Sequence, residues 1–238
     1  MALVPPTILA FPTYPDPATG IDAFVYPSES LYLGLGFFDG ALQNGVHTGR
    51  RGPETFFGDD NHDYFWIAEG GTTWTGGHAW GPGRLALGGH LQTAHFTRFN
   101  GDDKHGTQGF YVLLEQRVWR ENATTEGDNQ GIGIQVRMSH AAQDVSAARY
   151  HGSVGVDYLG LIPGRDSDNT GVMVSWLGTS RDPAAGLDAD ETLVEWFYKV
   201  QLTSFLSVKP VLHYVSHPGG TTTASDLFVG TVRVEIDF

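Results

Sequence analysis

Charged side chains recur at every second position within short, apolar-rich segments of this chain, and that spacing limits what they can do. In 191–201, Glu191, Glu195 and Lys199 share one phase with Leu193, Phe197 and Gln201, while Thr192, Val194, Trp196, Tyr198 and Val200 share the other. A strand points alternate side chains to opposite faces, so the segment has one apolar face and one face carrying both charge signs. Residues 131–139 repeat the pattern, with Ile132, Ile134, Val136 and Met138 opposed by Gly133, Gln135, Arg137 and Ser139. So does the end of the chain, where Phe228, Gly230, Val232, Val234, Ile236 and Phe238 alternate with Thr231, Arg233, Glu235 and Asp237 from Thr231 onward. Two arrangements satisfy this alternation. A soluble sandwich turns the charges to water, and a membrane barrel turns the apolar face to lipid and the charges to a wet interior.

Constellations for bond-breaking chemistry are missing. There is no Gly-x-Ser-x-Gly elbow, no His-Glu-x-x-His and no P-loop, and carboxylate pairs in so acidic a chain give a glycosidase reading no particular support. The stretches Asp59-Asp60-Asn61-His62-Asp63 and Asp102-Asp103-Lys104-His105 carry oxygen ligands but lack the ligand order of an EF-hand, so they are expected to be solvated loops. His213 and His217 lie four apart without a third ligand at a known spacing. Asn122-Ala-Thr124 is a formal glycosylation acceptor, and Gly34-Leu-Gly36 lies inside a strand with no helix after it. Arg165 and Asp166 are expected to tie a Pro-Gly turn. The expectation is a chain that is not an enzyme, with no cofactor and no metal.

The elements that carry these residues are strands. At 238 residues the chain can bury a large core as one all-β domain. With no cysteine it has no disulfide framework or thiolate metal site. A net charge of −13 without a Lys/Arg cluster argues against nucleic acid. No apolar run approaches the ~18 residues of a membrane helix, and the start, Met1-Ala-Leu-Val-Pro-Pro6, shows no signal peptide. Alternating segments separated by Gly, Pro, Asn and Asp predict eleven strands, at 21–26, 31–38, 63–70, 84–97, 108–118, 131–139, 150–160, 170–178, 191–203, 206–215 and 226–238. Most exceed the usual five or six residues of soluble strands and match the length that crosses a bilayer at a tilt. Trp176, Trp196, Tyr198 and Tyr214 recur on the apolar faces, as interfacial girdles would. With the C-terminus on the periplasmic side, 179–190 and 39–62 become long outer loops and 204–205 a short inner turn, though 119–130 is long on the inner side. Residues 1–20, with Pro5, Pro6, Pro12, Pro15 and Pro17, are too proline-rich for a central strand and are expected to form a segment ahead of the barrel domain, 21–238. Single-chain bacterial barrels have even strand numbers, so eleven strands imply the C-terminal part of a larger barrel.

The stretches Leu161-Ile-Pro-Gly-Arg-Asp-Ser-Asp168, Glu191-Thr-Leu-Val-Glu-Trp-Phe-Tyr-Lys-Val-Gln-Leu-Thr203 and Leu206-Ser-Val-Lys-Pro-Val-Leu-His-Tyr-Val-Ser-His-Pro-Gly-Gly220 resemble the carbohydrate-selective porin family of Gram-negative outer membranes, the OprB type. So do Pro82-Gly-Arg-Leu-Ala-Leu-Gly-Gly-His90 and Gly109-Phe-Tyr-Val-Leu-Leu-Glu-Gln116, and the similarity runs from about Pro6 to Phe238. The resemblance implies a transmembrane antiparallel β-barrel, sixteen-stranded in the full family, in the outer membrane. It also implies passive diffusion of mono- or oligosaccharides and contact with outer-membrane lipid and the barrel-assembly machinery, for which Phe238 would be the terminal signal. Pro210 matches a family proline and is expected at a bulge or a bond-free position. On the inward phase, Arg84, His90, Glu115, Arg117, Arg137, Glu195, Lys199, Arg233 and Glu235 are expected to line the solute path, where Arg and Glu donate to and accept from hydroxyls. The same charges could instead pair across strands and hold the wall in register. A soluble carbohydrate-binding sandwich and a non-selective structural barrel are the alternatives.

Overall fold

The structure, a computed structural model, describes residues 6–8, 17–40, 52–58, 62–77, 80–125 and 128–237. Eleven strands run in chain order: β1 (Gly20–Ser28), β2 (Leu31–Asp39), β3 (Tyr64–Trp74), β4 (Gly83–Thr97), β5 (Asp103–Arg120), β6 (Gly131–Ala141), β7 (Ala148–Leu159), β8 (Asn169–Thr179), β9 (Glu191–Gln201), β10 (Leu206–Ser216) and β11 (Leu227–Ile236). Among the described residues one short α-helix, α1 (Pro53–Phe57), lies between β2 and β3. The strands form a single sheet in which each is antiparallel to the next. Among the described residues β1 pairs only with β2, and β11 only with β10. The acidic run 59–61 and the terminal Phe238 lie outside the described residues.

Where the alternation is clean, the strands begin and end within a few residues of the expected bounds. β5 is the exception, starting at Asp103 rather than 108. Its polar first residues, expected to be a solvated loop, pair with β4 through His95↔His105, Phe96↔Lys104 and Thr97↔Asp103, beyond a register shift after Gln92. Gly106, at φ 74, occupies the left-handed backbone needed at that shift, so the ladder resumes in a new phase. Pro210 sits at a bond-free position and not at a bulge. The β9–β10 ladder is interrupted between Val208↔Val200 and Val211↔Phe197 with no change of register.

Burial is inverted relative to a soluble sheet. On the polar phase Phe65 is 0% exposed and Glu195 6%, and Tyr111, His90, Gln92, Ser139 and Ser207 are also buried. On the opposite phase Leu87 is 58% exposed and Val154 50%, with Leu33, Leu91, Phe110, Met138, Val172, Val174 and Trp196 exposed beside them. In water this loses the burial of one large side chain after another, roughly 1.5–3 kcal/mol each. Against lipid the same apolar face is solvated by acyl chains, and crowding of the polar face marks it as the concave side.

Aromatic residues bracket that apolar face. At one end Trp119, Tyr158 and Tyr198 follow one row through Ile132 and Thr170. Trp119 and Tyr158 are 5.9 Å apart. At the other end Phe110, His140 and Tyr150 form a ladder with ring centroids 5.3 and 4.9 Å apart. On β7, Tyr150 and Tyr158 are eight residues apart, or about 26 Å along a strand, and Val154 and Val156 lie between them. At a tilt of about 35–45° that length rises roughly 18–21 Å, most of an apolar band about 25 Å tall.

The connections do not sort by length into a short end and a long end. On the side expected to hold long loops, 98–102 and 142–147 are short; on the other, 121–130 and 160–168 are longer. The 160–168 turn is long because it folds back on its own neighbours. Its anchor is Asp168 and not Asp166: Arg165 donates to both Asp168 oxygens at 2.8 Å. The Gln201 amide and the Tyr198 hydroxyl also donate to Asp168, each at 2.8 Å. Burial pushes the Asp168 carboxyl up, but these donors outweigh it and hold it below the usual carboxylate range.

Two predictions follow from this frame. Val154→Arg puts a cation at the middle of the outward face and is expected to cost about 2–4 kcal/mol in lipid, whereas Ser153→Glu, on the polar phase and opposite Arg137, is expected to be nearly neutral; urea unfolding in lipid vesicles measures both. Asp168→Asn is expected to lose roughly 1.5–3 kcal/mol, the range for hydrogen bonds to a charged group. Because the folded carboxyl titrates below its free value of about 3.9, that stabilisation is complete above pH 4 and fades as pH falls through the folded value. Thermal melts of the two proteins should therefore converge in acid, and a gap that persists there would reject the ion-paired account.

Candidate functional site

All nine charged or titratable side chains expected on the inward phase lie on one face of the sheet. The ladder shows why. Arg84 stands opposite Glu115, which stands opposite Gln135, and the row continues through Gly155, Met173, Glu195 and His213. Because paired residues in an antiparallel ladder point to the same side, this row draws a polar belt across seven strands, broken at Gly155 and Met173.

Within the belt the charges are paired. Arg84 Nη2 donates to Glu69 Oε1 at 2.7 Å, and both its Nε and Nη2 donate to the Tyr32 hydroxyl, which in turn donates to Glu69. Arg117 reaches Asp157 at 3.2 Å and the Gly131 carbonyl at 3.0 Å. Arg137 lies 3.9 Å from Glu115, and His213 bonds Glu195 at 2.9 Å. Lys199 donates to Glu235 at 2.6 Å, while Arg233 is 4.0 Å from the same carboxylate. His90 differs: it is buried against the Phe65 ring at 5.9 Å, with Nδ1 lacking a hydrogen-bond partner among the described residues. Register-holding pairs and a charged surface are thus one set of atoms.

Tyr32, Glu69, Tyr111, Asp157, Lys209 and His213 share this face and were missing from the expected set. Asp157, Lys209 and His213 follow from carrying the polar phase along their own strands. Tyr32 and Tyr111 do not, since an aromatic on the polar phase looks like a packing residue until its neighbours are known. Those neighbours are glycines. A Cβ at Gly71 would meet the Tyr32 ring and one at Gly88 the Tyr111 ring, and at Gly171 it would lie 2.8 Å from Phe197. Each ring therefore lies flat along the wall over a residue with no side chain, instead of projecting from it.

The aromatics expected in girdles are all outward. Trp176 and Tyr214 lie toward one end of their strands and Tyr198 toward the other, but Trp196 sits at the midpoint of β9, too deep for a rim. His213 and His217 are not one site: His213 is bonded to Glu195 within β10, whereas His217 lies past the strand at φ 50, against Ser216. Lys104 and Arg98 converge on Asp144, at 2.7 and 3.1 Å. Asn122 is held by Asp128.

Comparison with known proteins agrees with this geometry. The family model described as carbohydrate-selective porin, OprB family, matches residues 9–238. Porin B of Pseudomonas aeruginosa is 21% identical over 150 residues, covering 55% of this chain and 32% of the relative. The high-pH structure of Pseudomonas putida OprB superposes with a TM-score of 0.78 at 18% identity, over 94% of this chain and 60% of that one. Its low-pH structure gives 0.62 at 16% identity, over 91% and 54%. The chain thus spans about a third of the curated relative and somewhat over half of the solved one, and its eleven antiparallel strands are porin barrel wall. It belongs to the carbohydrate-selective porin, OprB family of the bacterial outer membrane.

Proposed function

We propose that this chain forms most of the wall of an outer-membrane pore through which small sugars diffuse passively, with the polar belt facing the lumen. The observation that carries the reading is the joint one of an exposed apolar face and a crowded opposite face on which both charge signs are interleaved in register. A sugar entering such a lumen must exchange its hydration shell for fixed partners and still leave, so the contacts have to be weak and repeated. Pairs such as Arg84–Glu69, Arg117–Asp157 and Lys199–Glu235 each present a donor and an acceptor with little net charge. They serve hydroxyl groups without concentrating ions of one sign. Tyr32 and Phe197, lying along the wall, offer ring faces to the apolar faces of sugar rings. No step in this transport requires a catalytic group, and lipid and the assembly machinery are the expected partners of the outward face.

The test is reconstitution of the 238-residue chain in planar bilayers. Stable channels whose current falls on addition of glucose or maltose are expected. Absence of channels, with good solubility in plain buffer, would sink the porin reading in favour of a soluble sugar-binding module. Gly88→Val is expected to lift Tyr111 into the lumen and to lower single-channel conductance and sugar flux severalfold while leaving the thermal melt within a few degrees of the parent. Arg84→Met removes the partner of Glu69 and Tyr32. It is expected to shift the channel toward cation selectivity, read as a change in reversal potential across a salt gradient.

A further inference from the structure

The polar face contains a recess of about 350 Å³ between β5 and β11, lined by Arg117, Gln135, Asp157, Asn169, Lys199, Lys209 and Glu235, with Phe197 along its side. That volume lies at the small end of small-molecule sites and holds one sugar ring. Its depth comes from missing side chains: Gly155 lines it, and Gly171 lets the Phe197 ring lie back against the wall.

Charge in the recess is unbalanced. Arg117 and Asp157 neutralise each other at 3.2 Å. On the opposite side Lys199 and Lys209 flank one carboxylate, Glu235, which is 2.6 Å from Lys199 and, outside the recess, 4.0 Å from Arg233. Lys209 has no carboxylate within ion-pair distance among the described residues; its ammonium lies 4.0 Å from the centroid of the Phe197 ring. Lys209 and Arg233 also stand directly opposite each other in the β10–β11 ladder. Like charges at that position repel and destabilise a sheet unless an anion lies between them. Gln135 and Asn169 bring amide groups to the same recess; Asn169 Nδ2 donates to Asp157 at 3.4 Å.

We propose that this recess is a binding subsite for a monosaccharide bearing a carboxylate, a uronate or aldonate, with the carboxylate at Lys209 and the ring between Phe197 and the Gln135 and Asn169 amides. The inference rests on the lumen assignment above and adds a solute class to it. Neutral sugars use the amides and the ring face; a sugar acid gains the Lys209 ammonium as well. In a pore that otherwise presents neutral ion pairs, this places one anion-preferring station on the path.

Isothermal titration of the whole chain folded in detergent, with glucuronate, glucose and acetate as probes, tests the idea separately from permeation. Glucuronate is expected to bind about ten-fold tighter than glucose, and acetate weakly. Lys209→Gln is expected to bring glucuronate down to the level of glucose while leaving glucose unchanged, and Lys209→Arg to keep the preference. Phe197→Leu is expected to weaken both sugars together. Equal affinity for the two sugars, a preference that survives Lys209→Gln, or acetate binding as tightly as glucuronate would each overturn the subsite. Loss of glucose flux in bilayers alongside an intact glucuronate preference would strike the porin reading and leave the binding result standing.

Discussion

Lipid offers no partner for a backbone N–H or C=O, so a chain that crosses it must satisfy every such group internally. That one requirement accounts for most of the architecture. It selects the succession of neighbouring antiparallel strands, confines Pro210 to a place where the ladder makes no bond, and places Gly106 at the register shift. It also bears on β1 and β11. Each is paired on one side, and each is exposed on both of its faces. A wall in lipid is complete only when those two rows of amides are matched, which fits a chain that aligns with a little over half of a solved porin.

With the ladder in place, alternation distributes chemistry without further instruction. Outward positions need only be apolar, and rings collect near the ends of the strands. Inward positions must reconcile two demands, since charges desolvated by crowding require partners and a solute requires open donors and acceptors. Cross-strand pairing meets both, because a paired Arg and Glu retain unused lone pairs and N–H groups facing the interior. Lys209, against a ring and opposite another cation, departs from that balance.

Strand number, strand bounds and the facing of each charged residue were legible in the sequence because a period of two leaves little freedom: one residue of slip would turn Glu195 or Lys199 to lipid. What was not legible depends on contacts across strands. Asp168, not the adjacent Asp166, ties the turn because only it reaches Tyr198 and the Gln201 amide. Residues 103–107 looked like a loop because their polarity was read before their partners on β4 were known. Connection lengths misled for a related reason, since 160–168 is folded by its own hydrogen bonds and length alone says nothing of its exposure. Tyr32 and Tyr111 stayed hidden because a ring's role here is set by a glycine on the next strand, far away in sequence.

The rings resting on Gly71, Gly88 and Gly171 have an evolutionary reading. Where a bore is narrowed by long flexible side chains, changing its width takes several substitutions that also disturb charge. Here a single base change at a glycine codon, to alanine, serine or valine, lifts a neighbouring ring by the thickness of the new side chain without itself adding or removing a charge. Such a wall can be retuned in small steps, each reversible, by lineages meeting different nutrients.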